Sequence, residues 1–383
     1  MNRYLPFAAL CLATIVGLGC STVSPDARAT AESASAVEAR AEPVVSRAAI
    51  AQGLYEIVYS ERQKLLFVAS AGSFADASAP FQVLVVDPDS LAVVQTIRLP
   101  LKAFSLALDD AGDRLYVGNA GQGAITVIDT KTRQVLDTHQ LAKMEKAKGG
   151  REHPQYHFRQ LMLDAANNRL YLPAFDDTQS VLFVVDARDG SVDKIIPGFG
   201  FTATGIALDA KRGRLYVSNM EGEAIVVDTT SNEIVKRFSL GVEQPLNLAY
   251  DEVNHRLLAV DQGHPTMRGF QQRGIPNYES RHPGHRVVAI DLTTDKPVAE
   301  MAAKGPITLK LDSPRQRLFV TNRMSGEVTV FDSNDYKKLH AFSLPPHPNS
   351  LAIDAVTGAA FVTVKNDEDA PKGANESVAK IRF

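Results

Sequence analysis

The chain contains no tryptophan, and only two cysteines in 383 residues. Cys11 and Cys20 both lie within the first twenty positions. The remainder therefore has no disulfide framework, no thiol nucleophile and no cysteine-based metal or haem site. Without tryptophan, only Tyr and Phe are available to stack on a base. An excess of charge is also missing. Lys and Arg number 41 against 44 Asp and Glu, a net charge of −3, which does not mark the chain as a whole for a polyanionic partner. There is no glycine-rich phosphate loop and no Ser/His/Asp set in a recognisable context. These gaps argue against an enzyme, and no cofactor is expected.

The longest feature at the N-terminus is an apolar run of 14 residues, Leu5 to Leu18, preceded by Arg3. That length suits a signal-peptide core and is too short for a comfortable membrane span. The run ends Val16-Gly17-Leu18-Gly19-Cys20-Ser21. This resembles the site at which bacterial lipoproteins are cut before a cysteine that is then acylated, with Gly17 a departure from the usual leucine. Ordinary cleavage near Ala29-Thr30-Ala31 is the alternative. On either reading residues 1–20 are a targeting segment and the protein leaves the cytoplasm, for the periplasm or the periplasmic side of the outer membrane. Residues 21–43 are rich in Ser, Ala and Glu, have no aromatic residue, and read as a flexible tether.

From residue 44 onward the chain repeats. Residues 201–240 hold four short β-branched or aromatic runs separated by three turn signals, the pattern of a four-stranded antiparallel meander. The second run recurs as Leu66-Phe67-Val68, Leu115-Tyr116-Val117, Leu170-Tyr171-Leu172, Leu215-Tyr216-Val217, Leu257-Leu258-Ala259, Leu318-Phe319-Val320 and Ala360-Phe361-Val362. The third recurs ahead of Asp87, Asp129, Asp186, Asp228, Asp291 and Asp332, which read as turn formers. The spacing runs from 42 residues (Leu215 to Leu257) to 61 (Leu257 to Leu318). Seven such units predict an all-β fold: a seven-bladed β-propeller over 44–383, with four-stranded antiparallel blades. The seventh unit has only three strands, so the strand-like run Val44 to Ile50 is expected to supply the fourth and close the ring.

The long connections all fall on one face, at 71–82, 142–159, 263–286 and 365–376. Insertions confined to one face of a repeat array mark the binding face. Two are basic. The first carries Lys143, Lys146, Lys148, Arg151 and Arg159, and the second Arg268, Arg273, Arg281 and Arg286; each has net charge +3. With Tyr156, Phe158, Phe270 and Tyr278 interleaved, they suit single-stranded nucleic acid or another polyanion by phosphate contact and stacking. Locally packed, solvated loops are the plainer alternative. His153 and His157, and His282 and His285, have spacings compatible with a metal site. Glu56, Ser105, Gln160, Gly205, Asn247, Thr308 and Ser350 share one first-strand register and are expected to line the central channel.

Tyr116-Val117-Gly118-Asn119, Tyr216-Val217-Ser218-Asn219 and Phe319-Val320-Thr321-Asn322 resemble the repeat of the YVTN β-propeller family. Gly53-Leu54-Tyr55-Glu56-Ile57-Val58-Tyr59-Ser60 and His347-Pro348-Asn349-Ser350-Leu351-Ala352 resemble its secreted bacterial YncE-like branch. The resemblance spans about residues 50–383. It implies a periplasmic propeller without established catalysis, to which single-stranded DNA binding is attributed. The chain therefore reads as a monomeric, non-enzymatic cell-envelope binding module. A metal-binding or hydrolase-type propeller and a protein-interaction scaffold are the alternatives.

If Cys20 carries a lipid, the wild-type protein partitions with membranes and Cys20→Ala does not. A wild-type protein recovered wholly in the soluble periplasmic fraction removes the anchor.

Overall fold

The computed structural model describes residues 42–73, 78–147, 149–150, 152–176 and 178–383. Cys20, the targeting segment, nearly all of the tether, Lys148 and Arg151 lie outside the described residues. Seven antiparallel blades follow one another along the chain, blades one to six with their strands in sequence order from the inside outward, and a separate two-stranded hairpin, Met144–Lys146 with Glu152–Pro154, lies between blades two and three. Blade four is representative: Ala203–Asp209, Arg214–Asn219, Glu223–Asp228 and Glu233–Ser239. Each first strand packs on the next around the ring, and the first strand of blade seven packs on Leu54–Ser60 of blade one.

The repeated triplet explains the ring. A β-strand sends alternate side chains to opposite faces. In blade four, Leu215 and Val217 pack against blade three, while Tyr216 packs against blade five. Leu66 and Val68 in blade one, and Leu318 and Val320 in blade six, likewise face backward, and Phe67 and Phe319 face forward. Both faces of each sheet are buried, so the strands read as continuous apolar runs. Seven apolar clusters result, one at each blade–blade boundary. Full burial of one such Leu, Val or Phe contributes about 1.5–3 kcal/mol.

The residue after the triplet does a second job. In three blades it is a hydroxyl that joins neighbours. Ser218 Oγ accepts from Gly205 N (2.9 Å) in its own blade and donates to Pro245 O (2.7 Å) in the next. Thr321 Oγ1 accepts from Thr308 N and donates to Asn349 O, and Thr363 Oγ1 accepts from Ser350 N and donates to Tyr55 O. Each first strand served this way has a register irregularity at that point. The hydroxyl supplies the pairing that the irregularity removes. The third-strand aspartates do form turns: Asp87, Asp129, Asp228, Asp291 and Asp332 each accept two following backbone N–H groups.

Val44–Ala51 pairs antiparallel with Glu376–Arg382 and is the outer strand of blade seven. A charged clamp reinforces the join. Glu376 Oε2 accepts from Leu54 N (2.6 Å) and from Lys365 Nζ (3.2 Å), and Lys365 also donates to Leu54 O. The Lys365 ammonium lies 4.0 Å from the centre of the Tyr55 ring. Burial pushes the Lys365 pKa down, against the pull of Glu376. The outer strands of blades one to six each carry a β-bulge, which blunts an exposed edge against pairing with another molecule.

Two features depart from the simple repeat. In blade three the first strand is split into His157–Phe158 and Met162–Asp164, both paired with Arg169–Phe175. The connection 263–286 is not an open loop, because it holds helix α1, Pro265–Gly274. Its first turn is capped by His264, whose Nδ1 accepts from Thr266 N, and Pro265 occupies the first helical position, where it needs no partner.

Deleting residues 44–51 is expected to expose the edge of Glu376–Arg382 and cause aggregation or a large fall in melting temperature, whereas deleting 21–41 is nearly silent. Thr363→Val strands the Ser350 amide and is expected to cost about 1–3 kcal/mol. Equal effects from the two deletions, measured by thermal unfolding, contradict the closing role of the N-terminal strand.

Candidate binding face

The face on which the first strands begin carries the long connections and the mouth of the central channel. A cavity of about 470 Å³ opens there, lined by residues from the first strands and from second-to-third strand turns. Glu56, Ser105, Gln160, Asn247, Thr308 and Ser350 all stand in its wall. Six of the seven positions expected from the register are thus brought together. The seventh, Gly205, has no side chain to contribute, and a Cβ there would meet Asn247 Cα at 3.1 Å.

Hydrogen bonds run from blade to blade around this ring. Glu56 Oε2 accepts from Leu106 N (2.9 Å), and Ser350 Oγ accepts from Ile57 N (3.4 Å). Arg159 Nη1, from blade three, reaches blade five and donates to Leu246 O (2.5 Å) and Asn247 Oδ1 (2.6 Å). Asn247 Nδ2 continues to Thr308 Oγ1 (3.4 Å). Burial pushes the Glu56 pKa up, opposed by Lys310, the Leu106 amide and Arg159. Burial likewise pushes Arg159 down to about 10, with Glu56 acting in the other direction. Arg323 also lines the cavity, and its guanidinium has no hydrogen bond or ion pair among the described residues.

Sequence reasoning missed Arg323 and the aromatic wall formed by Tyr55, Phe104 and Phe175. The signal was present. Arg323 follows Thr321-Asn322, where the second strand reaches this face, and Tyr55 and Phe104 directly precede Glu56 and Ser105.

The two insertions are less basic than their formal charge. Arg286 is spent on Asp261 (3.2 Å), Glu300 (2.7 Å) and Gly241 O. Arg268 donates to His282 O and lies 3.8 Å from Glu243. Arg159 belongs to the channel. Lys143 and Lys146, near a short hairpin, and Arg273 and Arg281, on and beyond α1, are exposed and have no side-chain partner among the described residues.

The aromatic set is corrected in the same way. Tyr156 is 8% exposed and Phe158 1%; both pack edge-on against Phe183 in the core between blades two and three. Phe270 packs on Phe201. The Tyr278 hydroxyl lies 3.0 Å from Glu243 Oε2. Neither Tyr156 nor Phe158 is available to stack on a base across the open face, because both rings are packed against Phe183.

The paired histidines do not assemble a metal site: among the described residues no three His, Cys, Asp or Glu side chains come together in a ligating group. His153 Nδ1 lies against Pro154 O, His157 stands in the cavity wall, His282 Nδ1 accepts from Gly284 N, and the Nδ1 of His285 is buried without a protein partner.

Glu243 holds the blade-five insertion in place. Its carboxylate accepts from Tyr278 Oη, Ser280 Oγ and the backbone amides of Arg281 and His282. Burial opposes its charge, but these hydroxyl and amide donors outweigh it and hold the pKa below the ordinary 4.5. A depressed carboxylate pKa stabilises above the ordinary value and loses that contribution as pH falls through the lowered one. Residues 276–285 are therefore expected to resist protease at neutral pH and become labile below 4.5. Glu243→Ala should open them at pH 7, with a local cost of about 1.5–3 kcal/mol. Unchanged cleavage in the variant contradicts the anchoring role.

No protein-family profile matches the chain. It is 30% identical over 346 residues to a Salmonella typhimurium protein described as "Uncharacterized protein YncE", covering 88% of this chain and 90% of the relative. An Escherichia coli O157:H7 protein of the same description is 30% identical over 354 residues, covering 91% and 93%. The matched span takes in the ring of blades just described, and the chain belongs to the YncE family of β-propeller proteins.

Proposed function

We propose that the protein is a non-enzymatic binding module of the cell envelope. In this reading its channel face engages a polyanion, with single-stranded DNA as the ligand favoured by the family resemblance. The observation that carries it is the set of four exposed, unpartnered cations on the two insertions: Lys143 and Lys146 between blades two and three, Arg273 and Arg281 on blade five. Both insertions leave the same face and flank the channel mouth from different sides. A phosphate backbone crossing the mouth would meet both pairs, and release of its counterions would drive association. The buried aromatics move the weight of the reading from stacking to electrostatics.

Fluorescence anisotropy of a labelled oligothymidylate, titrated with salt, tests it. Binding is expected to weaken steeply with salt, and the log–log slope to fall by roughly 0.7 for each phosphate contact removed. Arg273→Ala with Arg281→Ala should weaken binding and flatten the slope, with melting temperature unchanged. Salt-independent binding, or variants that bind as wild type does, overturns the polyanion reading.

A further inference from the structure

The polar ring inside the channel is not continuous from blade to blade. Glu56 of blade one is tied to blade two, Arg159 of blade three to blade five, Asn247 of blade five to blade six, and Ser350 of blade seven to blade one. On blades two and three, Ser105 Oγ and Gln160 Oε1 are buried without a hydrogen-bond partner, and both residues line the cavity. Ser105 is 3% exposed. Both atoms are closed off from solvent, the Ser105 hydroxyl lying over Gly118 of its own blade, so the polar groups open to the cavity stand elsewhere in its wall.

The cavity is also polarised across its width. A carboxylate stands on one side: Glu56, on blade one. Cations stand toward the other. Arg159 reaches blade five with Nη1 engaged and its other guanidinium nitrogens without a protein partner, and Arg323 on blade six has none among the described residues. Between the two sides lie Tyr55, Phe104, Phe158, Phe175 and Ile307. A volume near 470 Å³ is in the range of small-molecule sites, which combine an apolar lining with a few convergent polar groups.

We infer that the channel mouth is a binding site for a small zwitterion, an α-amino acid with an apolar side chain. Its ammonium sits at the Glu56 carboxylate. Its carboxylate sits between Arg159 and Arg323, where a planar guanidinium presents paired donors. Its side chain lies on the aromatic wall. The ammonium supplies a hydrogen-bonding cation to a Glu56 carboxylate that otherwise accepts only from the Leu106 amide among the described residues. This site is separate from the insertion cations and does not rest on the polyanion reading.

Isothermal titration of the purified chain with L-phenylalanine and L-leucine tests the inference, with 3-phenylpropionate and 2-phenylethylamine as the two truncations. At least one amino acid is expected to bind, and each truncation of L-phenylalanine to bind at least about 10-fold more weakly, because one buried charged group is left unpaired. Glu56→Gln keeps an acceptor for the Leu106 amide, so the fold should hold. It should weaken L-phenylalanine about 10-fold and leave 3-phenylpropionate unchanged. Arg323→Ala should weaken both of these and spare 2-phenylethylamine. Failure of both amino acids to bind the wild type, or an ammonium-free ligand binding as tightly as the amino acid, overturns the inference; so does an unchanged Glu56→Gln. Oligothymidylate binding by Glu56→Gln, measured in parallel, keeps this outcome distinct from the fate of the polyanion reading.

Discussion

Every blade is apolar on both faces, and that single constraint governs the molecule. A sheet carrying Leu215 and Val217 on one side and Tyr216 on the other cannot be left with either side in water. It needs a neighbour on each flank, and so does the neighbour. An open row of blades would always leave two bare faces, whereas a ring leaves none. The join is consequently the costly point of the design. The chain meets it by bringing Val44–Ala51 to the edge of Glu376–Arg382 and by burying Lys365 and Glu376 around the backbone of Leu54. A buried ion pair with one partner removed is strongly destabilising, because an uncompensated charge remains. The clamp is therefore a device for specifying the closed register.

Closure also creates the site. Seven first strands converge on one axis, and their side chains cannot all pack as the second strands do. At that register the sequence changes from apolar to short polar residues, and hydroxyls such as Ser218, Thr321 and Thr363 tie the irregular strand starts to the next blade. The ring is not symmetrical in chemistry. Arg159 of blade three reaches across to blade five, Glu56 is the one carboxylate among the seven positions, and Ser105 Oγ and Gln160 Oε1 are left without a partner. Repeat architecture supplies the rigid frame, and departures from the repeat supply the recognition groups.

The fold was almost wholly legible in the sequence, because burial on both faces leaves a local mark: Leu-Tyr-Val triplets, a following hydroxyl or asparagine, and an aspartate at the third-strand end of blades one to six. The missing fourth strand of blade seven could be counted, and the channel positions followed from register alone. The binding face was legible only as a face. Formal charge did not reveal that Arg268 and Arg286 answer to Glu243, Asp261 and Glu300, since such pairings depend on how distant segments meet. Composition gave Tyr156 and Phe158 the look of stacking residues, although both rings pack against Phe183 in the core between blades two and three. Helix α1 was hidden inside a connection whose polar sequence resembles a loop. Arg323 escaped notice because a lone arginine at a turn carries no local signature of what lies across a channel.

A ring held by mutual burial has no ends, so its blades should lose structure together. Native-state amide hydrogen exchange across the full chain measures this directly, as an opening free energy for each segment. The expected result is one common opening free energy for the slowest amides of Leu66–Val68 in blade one, Leu215–Val217 in blade four and Ala360–Val362 in blade seven. The contrary result is a distinctly lower value for blades one and seven with blade four still protected. That pattern would mean that the ring opens at its join while the middle stands, and that closure is an accessory to the fold rather than its condition.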